Sequence, residues 1–254
     1  MMDIKATLKM AAGGVALFAL GAGVTAAFTG QLSVGGPANK AQIEQVVHDY
    51  LVAHPEILVE VSQKLDVQQA AATDKARQDA LTSLGQKALL DKNVAFVTGP
   101  ADAKVTVTEF FDYRCPHCKA SMAAMKHLVE SGSKVRVAFI ERPILTPDSL
   151  WAAQAAVAAR RQGDNFYVPF HFALMATNGE LPKDRILDIA KSVGLDTAKL
   201  EKDMADPAVL DQIKASNGLA DKLHFDGTPT FVINDRIVVG EVTDQELQKL
   251  ASGT

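Results

Sequence analysis

The chain has two cysteines, Cys115 and Cys118, and they stand in one Cys-Pro-His-Cys run. A lone Cys-x-x-Cys carries redox chemistry when it follows a strand and opens a helix. There the free N–H groups and the positive dipole end of the first turn stabilise a thiolate. The stretch EFFDYRCPHCKA offers that context: Val105 to Phe111 reads as a strand, and helical spacing runs from Cys115 to about Glu130, with Gly132 as the stop. Pro116 suits a first turn because it has no N–H to lose there, and His117 can add charge-assisted stabilisation to a Cys115 thiolate. Cys118 lies one turn on and shares a helical face with Met122, Met125 and Val129, so it is expected to be the buried, resolving thiol. A low-pKa Cys115 is a good leaving group, which favours passing a disulfide to another protein over keeping one for structure.

Metal use of the same residues is the rival chemistry. Zinc commonly takes four ligands, and His127, His171 and His224 are scattered in sequence, so no resident zinc site is expected. Cu(I) needs fewer ligands and favours thiolates, which leaves copper binding by Cys115 and Cys118 open. No cofactor motif accompanies the pair.

Two further positions bear on the cysteines. Val105, Val107, Glu109 and Phe111 share one face of the strand, placing Glu109 in line with apolar side chains beneath the active helix. A carboxylate there can shuttle the resolving thiol's proton; the alternative is that Glu109 reaches solvent at the strand end. In Gly227-Thr228-Pro229-Thr230 a proline begins a strand after a turn signal, and a cis bond would free the Thr228 backbone to pair with a substrate strand.

The elements around these residues form a strand, helix, strand unit, with a parallel strand pair, followed by a long helical stretch. Val94 to Val97 is expected to be a strand before the motif, and Val135 to Ile140 the strand after its helix. Between about 147 and 223 the pattern is helical, with Ser149 to Gln162, a helix opened by Pro182 through Val193, and another opened by Pro207. Strands resume at Thr230 to Ile233 and Ile237 to Val239, and a capping box of Thr243 with Glu246 opens a last helix. The fold class is α/β: a thioredoxin arrangement with an inserted helical subdomain, over residues 93–254.

Upstream, residues 39–92 read as helical. From a cap at Asn39, apolar residues recur at Ile43, Val47, Tyr50, Ile57 and Val61, with a break at His54 and a restart at Pro55. The stripe either packs on the catalytic domain or drives self-association. Asp66 to Ala80 has almost no large apolar side chains and reads as a solvated helical connector. Residues 29–38 form a Gly/Pro-bearing linker, and residues 1–28 carry Lys5 and Lys9 before an apolar run, the layout of a signal peptide cleaved after Ala26 or a retained membrane anchor. The sequence of 254 residues has a formal net charge of -4, too little positive field for a nucleic-acid partner.

Glu109-Phe110-Phe111, Cys115-Pro116-His117-Cys118 and Gly227-Thr228-Pro229-Thr230-Phe231 resemble the DsbA branch of the thioredoxin superfamily of thiol-disulfide oxidoreductases. The resemblance implies that Cys115 is the nucleophile and Cys118 the resolving thiol. It also implies that His117, between Pro116 and Cys118, tunes the potential, that Glu109 assists proton transfer, and that Thr228 and Pro229 face the disulfide and bind substrate. Val46 to Leu58 (VVHDYLVAHPEIL) is similar to the oligomerising segment of ScsC-like proteins, the suppressors of copper sensitivity. That likeness implies a periplasmic homo-oligomer acting on cysteine-containing exported proteins. It would be kept reduced by a membrane electron transporter of the ScsB/DsbD type and work as a disulfide isomerase or reductase. A monomeric dithiol oxidase served by a DsbB-like oxidase, and a Cu(I)-binding protein, are the alternatives.

Overall fold

The computed structural model describes residues 39–131 and 134–252. The signal or anchor expected over 1–28, the linker over 29–38 and the helix stop at Gly132 lie outside the described residues. The chain divides into two compact units, Met1–Leu58 and Val59–Thr254.

In the first unit, α1 (Lys40–Ala53) starts at Asn39, whose side chain accepts the Gln42 N–H at 2.9 Å while the Gln42 side chain accepts the Asn39 N–H. The helix ends at His54, since Pro55 disfavours a helical conformation for the residue before it. The next helix, α2 (Glu56–Leu84), begins directly after Pro55. Within this unit Val46 is 68% and Tyr50 55% exposed, with Ile43, Val47, Val52 and Leu58 also open to solvent.

The second unit holds a short α3 (Gln86–Leu89) and then the strands β1 (Phe96–Thr98) and β2 (Val105–Phe111). The active helix α4 (Pro116–Glu130) follows, then β3 (Val135–Glu141). The insertion comprises α5 (Pro147–Ala159), α6 (Tyr167–Ala176), α7 (Lys183–Ser192), α8 (Thr197–Met204) and α9 (Pro207–Lys222). The chain closes with β4 (Thr230–Ile233), β5 (Arg236–Val239) and α10 (Asp244–Ser252). The sheet order is β1-β3-β2-β4-β5, with β2 and β3 parallel and the remaining pairs antiparallel. This is the expected thioredoxin order, with the helices inserted between β3 and β4.

Strand alternation assigns the two faces. Val107, Phe111, Val137, Phe139, Phe231 and Ile233 belong to one core with Cys118, Met125 and Leu128 of α4. The intervening Phe110, Ala138, Ile140 and Val232 join a second core with Leu81, Leu89, Leu223 and Phe225. Glu109 therefore falls on the face that carries the active helix.

Two elements differ from expectation, each for a local reason, and a third was expected only as part of a general helical pattern. The first strand begins at Phe96, because Asp91 accepts the Asn93 N–H on its side chain and the Val94 and Ala95 N–H groups on its carbonyl, which makes 91–95 a turn. The stretch 66–80 is helical, but its far end docks: Arg77 Nε donates to the His224 carbonyl at 2.9 Å, Gln78 Nε2 donates to the Asp235 carbonyl, and Leu81 is 4% exposed. Core packing thus begins upstream of residue 93. The helix α6 was hidden in the general helical pattern because it is apolar all round, with Tyr167, Phe170, Phe172, Leu174 and Met175 buried, so no stripe marks it.

Candidate active site

Cys115 caps the active helix. Its backbone is extended, its sulfur accepts the Cys118 N–H at 3.4 Å, and Pro116 occupies the first helical position. The Cys115 thiol donates to the Thr228 carbonyl at 3.1 Å. Only 3% of Cys115 is exposed, yet its thiol is lowered to about 6. The hydrogen bond from the Cys118 thiol is the largest cause; burial opposes it, and the Thr228 side chain and the backbone N–H groups of Cys118 and His117 add to the lowering. Both cysteines are free thiols.

Cys118 is fully buried, and its thiol is pushed far up, first by burial, then by its donation to Cys115 and by the negative charge of Glu109. A low-pKa outer sulfur and a high-pKa inner one divide the chemistry: the first attacks and leaves as a thiolate, the second needs a proton acceptor. The buried stripe of α4 is Cys118, Ser121, Ala124, Met125 and Leu128, with Met122 and Val129 at its margin.

Glu109 does not reach solvent: it is 2% exposed, and burial followed by the charge of Cys115 pushes its carboxyl up to about 8. The folded chain therefore keeps this proton well above the pH at which the unfolded chain, with an ordinary value of 4.5, releases it. The resulting stabilisation is complete below the unfolded value and is lost as pH rises through about 8. Glu109→Gln should accordingly be more stable than the native protein at pH 9 by about 2–4 kcal/mol and no different at pH 4. Urea unfolding of the dithiol form at both pH values measures this; equal stabilities at pH 9 would mean that the carboxylate is solvated.

The Thr228–Pro229 peptide is cis, and this loop faces the active helix through the Thr228 carbonyl. His117 is exposed on the helix, and its Nδ1 lies 2.9 Å from Glu241 Oε2. The carboxylate is the main cause that raises the His117 pKa, with the charge of Cys115 the smallest contributor. The structure thus brings Glu109, Cys115, Pro116, His117, Cys118, Thr228 and Pro229 together and adds Glu241, which no spacing in the sequence marks.

Two other supports were invisible in sequence. Asp112 accepts from the Arg114, Ile144 and Leu145 N–H groups and from the Ser149 hydroxyl, tying the loop before Cys115 to the start of the insertion. Beneath it, the Tyr113 hydroxyl lies 3.1 Å from His171 Nδ1, and the Tyr113 and Tyr167 hydroxyls donate to Glu141 Oε1. His171 sits among Phe111, Phe139 and Tyr167, where burial lowers it to about 3 and keeps it neutral. A clustered aromatic floor of this kind fixes the backbone that carries the motif.

Comparison with known proteins agrees with this geometry. Residues 91–251 match the thioredoxin family model, and residues 39–72 match the N-terminal domain of the copper resistance protein ScsC. A thioredoxin-like oxidoreductase from Silicibacter pomeroyi is 44% identical, with a TM-score of 0.61 over 66% of this chain and 96% of that one. The thiol-disulfide exchange protein α-DsbA2 from Wolbachia pipientis is 30% identical, with a TM-score of 0.66 over 72% and 97%. A linker-deletion variant of Proteus mirabilis ScsC is 26% identical, with a TM-score of 0.64 over 87% and 97%. Among curated proteins, a Na⁺/H⁺ antiporter NhaA from Salinispora tropica is 32% identical over 149 residues, of which the match spans 58% of this chain and 22% of the antiporter's length. The chain belongs to the thioredoxin family, among the DsbA- and ScsC-like thiol-disulfide oxidoreductases.

Proposed function

We propose that this protein is an exported, oligomeric protein disulfide isomerase or reductase of the periplasm, working by thiol-disulfide exchange at Cys115. In the dithiol state the Cys115 thiolate attacks a wrongly paired substrate disulfide, forming a mixed disulfide and releasing one substrate thiolate. That thiolate, or another on the substrate, attacks a neighbouring sulfur until Cys115 leaves again, so isomerisation consumes no electrons. If the substrate stalls, Cys118 displaces it, the Cys118 proton passing to Glu109 in those molecules whose carboxyl is ionised, and the step leaves a Cys115–Cys118 disulfide and a substrate thiolate. Thr228 and Pro229 hold the substrate strand beside Cys115, and Pro116 and His117 set the stability of its thiolate.

The observation that favours an isomerase over a monomeric oxidase is the N-terminal segment. Residues 39–72 match the ScsC N-terminal domain, and among the described residues Ile43, Val46, Val47 and Tyr50 are exposed, which suits association with further copies. On this reading the substrates are cysteine-containing exported proteins, and a membrane electron transporter of the ScsB/DsbD type returns the pair to the dithiol state. Acid trapping and alkylation of growing cells tests the redox direction: a reduced pair supports the isomerase, whereas an oxidised pair would assign the protein to a DsbB-like oxidase. Stoichiometric Cu(I) binding without insulin reduction would instead favour the copper-binding reading, which the same two sulfurs permit.

His117 interacts favourably with Cys115 only while the latter is a thiolate, so His117→Ala should make the pair less oxidising. Because the ring is also engaged by Glu241, the glutathione equilibrium should shift by only about threefold. An unchanged equilibrium would leave the helix terminus and Cys118 as the whole cause of the low Cys115 value.

A further inference from the structure

Glu241 stands on a short segment that is pinned on both sides. Gly240 N–H donates to the Pro229 carbonyl at 2.9 Å, and Val242 N–H donates to Ser121 Oγ at 2.9 Å. The first anchor is the cis-proline loop, the second the buried face of the active helix, with Gly240 at a φ of 96° that favours glycine. Between these anchors the Glu241 side chain is delivered to His117, 2.9 Å from Nδ1. A surface pair held by such backbone bonds is placed by the fold, unlike one made by two freely rotating side chains.

We propose that Glu241 is a positioning residue for the cysteine pair: it holds His117 through Nδ1 and shares the imidazolium charge, which makes the Cys115–Cys118 disulfide a weaker oxidant than its Cys-Pro-His-Cys run alone would give. The inference rests on the thiol-disulfide exchange reading. An imidazolium partnered by a carboxylate presents nearly zero net charge to the Cys115 sulfur, whereas a free imidazolium would favour the thiolate, and with it the reduced form. The charged groups that bear on His117 are Glu241 and Cys115, so one substitution isolates the effect.

The test compares Glu241→Gln, Glu241→Asp, His117→Ala and the His117→Ala/Glu241→Gln double variant in full-length protein. The readouts are the thiolate absorbance titration of Cys115 and the glutathione equilibrium at pH 6 and pH 8. At pH 6, Glu241→Gln should lower the Cys115 pKa and shift the equilibrium about threefold toward the dithiol, with Glu241→Asp between it and the native protein. At pH 8 the freed imidazole is neutral and the shift should shrink. In the His117→Ala background it should vanish. An unchanged equilibrium at pH 6, or a shift that persists without His117, overturns the proposal. A native pair that fails to equilibrate with glutathione at all overturns the exchange reading itself, and this inference with it.

Discussion

Replacing Cys118 with serine should turn a passing covalent complex into one that accumulates. The Cys115 thiolate loses the Cys118 thiol but keeps the Thr228 side chain and the backbone N–H groups of residues 117 and 118, so attack on a substrate disulfide continues. The sulfur that would release the product is gone, and the mixed disulfide persists until another thiol arrives. Turnover in insulin reduction should fall by about a hundredfold or more, and bands of protein joined to substrate should appear on non-reducing gels. Cys115→Ser should abolish both turnover and complexes. The order of reactivity provides an independent check. Cys118 is fully buried with a raised pKa, while Cys115 titrates near 6, so alkylation at mildly acidic pH should reach Cys115 first. Faster labelling of Cys118 would reverse the two roles.

The second large effect is expected from deleting Ala41 to Ala72. The cut removes α1 and the leading part of α2, while Arg77, Gln78 and Leu81, which fasten the rest of α2 within the second unit, remain. The product should be a soluble monomer whose Cys115 chemistry is intact. Isomerase activity on a scrambled multi-disulfide substrate should drop by about tenfold, since repeated attack no longer draws on several thiolates held at high local concentration. Dithiol oxidation should rise, because a single exposed active site is easier for a membrane oxidase to approach. Light scattering on both proteins decides the first point: a monomeric full-length protein would sink the oligomer reading. Unchanged isomerase activity after deletion would remove its functional meaning.

What could be read from the sequence followed from periodicities that tertiary packing leaves intact. The strand before Cys115, the helix it opens and the Thr243 capping box are local patterns, and Glu109 declared its face through the period-two register of β2. The break between α1 and α2 was legible because proline imposes it on His54. What escaped depends on contacts between distant residues. Glu241 lies 124 positions from His117, and its approach is set by backbone bonds to Pro229 and Ser121 that have no composition signal. The docking of Arg77 and Gln78 is similar: polar side chains on a helix that reads as solvated find backbone carbonyls at His224 and Asp235. His171 looked like one scattered histidine among several, and only the fold shows it neutral inside an aromatic cluster.

Lys119, directly after the resolving cysteine, extends its Nζ to the Met175 carbonyl at 2.9 Å and to the Thr177 carbonyl at 2.6 Å. Those carbonyls belong to the end of α6, where a helix has no further turn to satisfy them. The ammonium of one helix thus terminates another, and the two are bound by a contact that neither can keep alone. Fraying at the end of α6 withdraws a hydrogen-bond partner from the catalytic helix, and displacement of that helix leaves the end of α6 bare. Amide exchange at these two places should therefore share one opening free energy, so that the insertion and the cysteine motif breathe together as a single cooperative block.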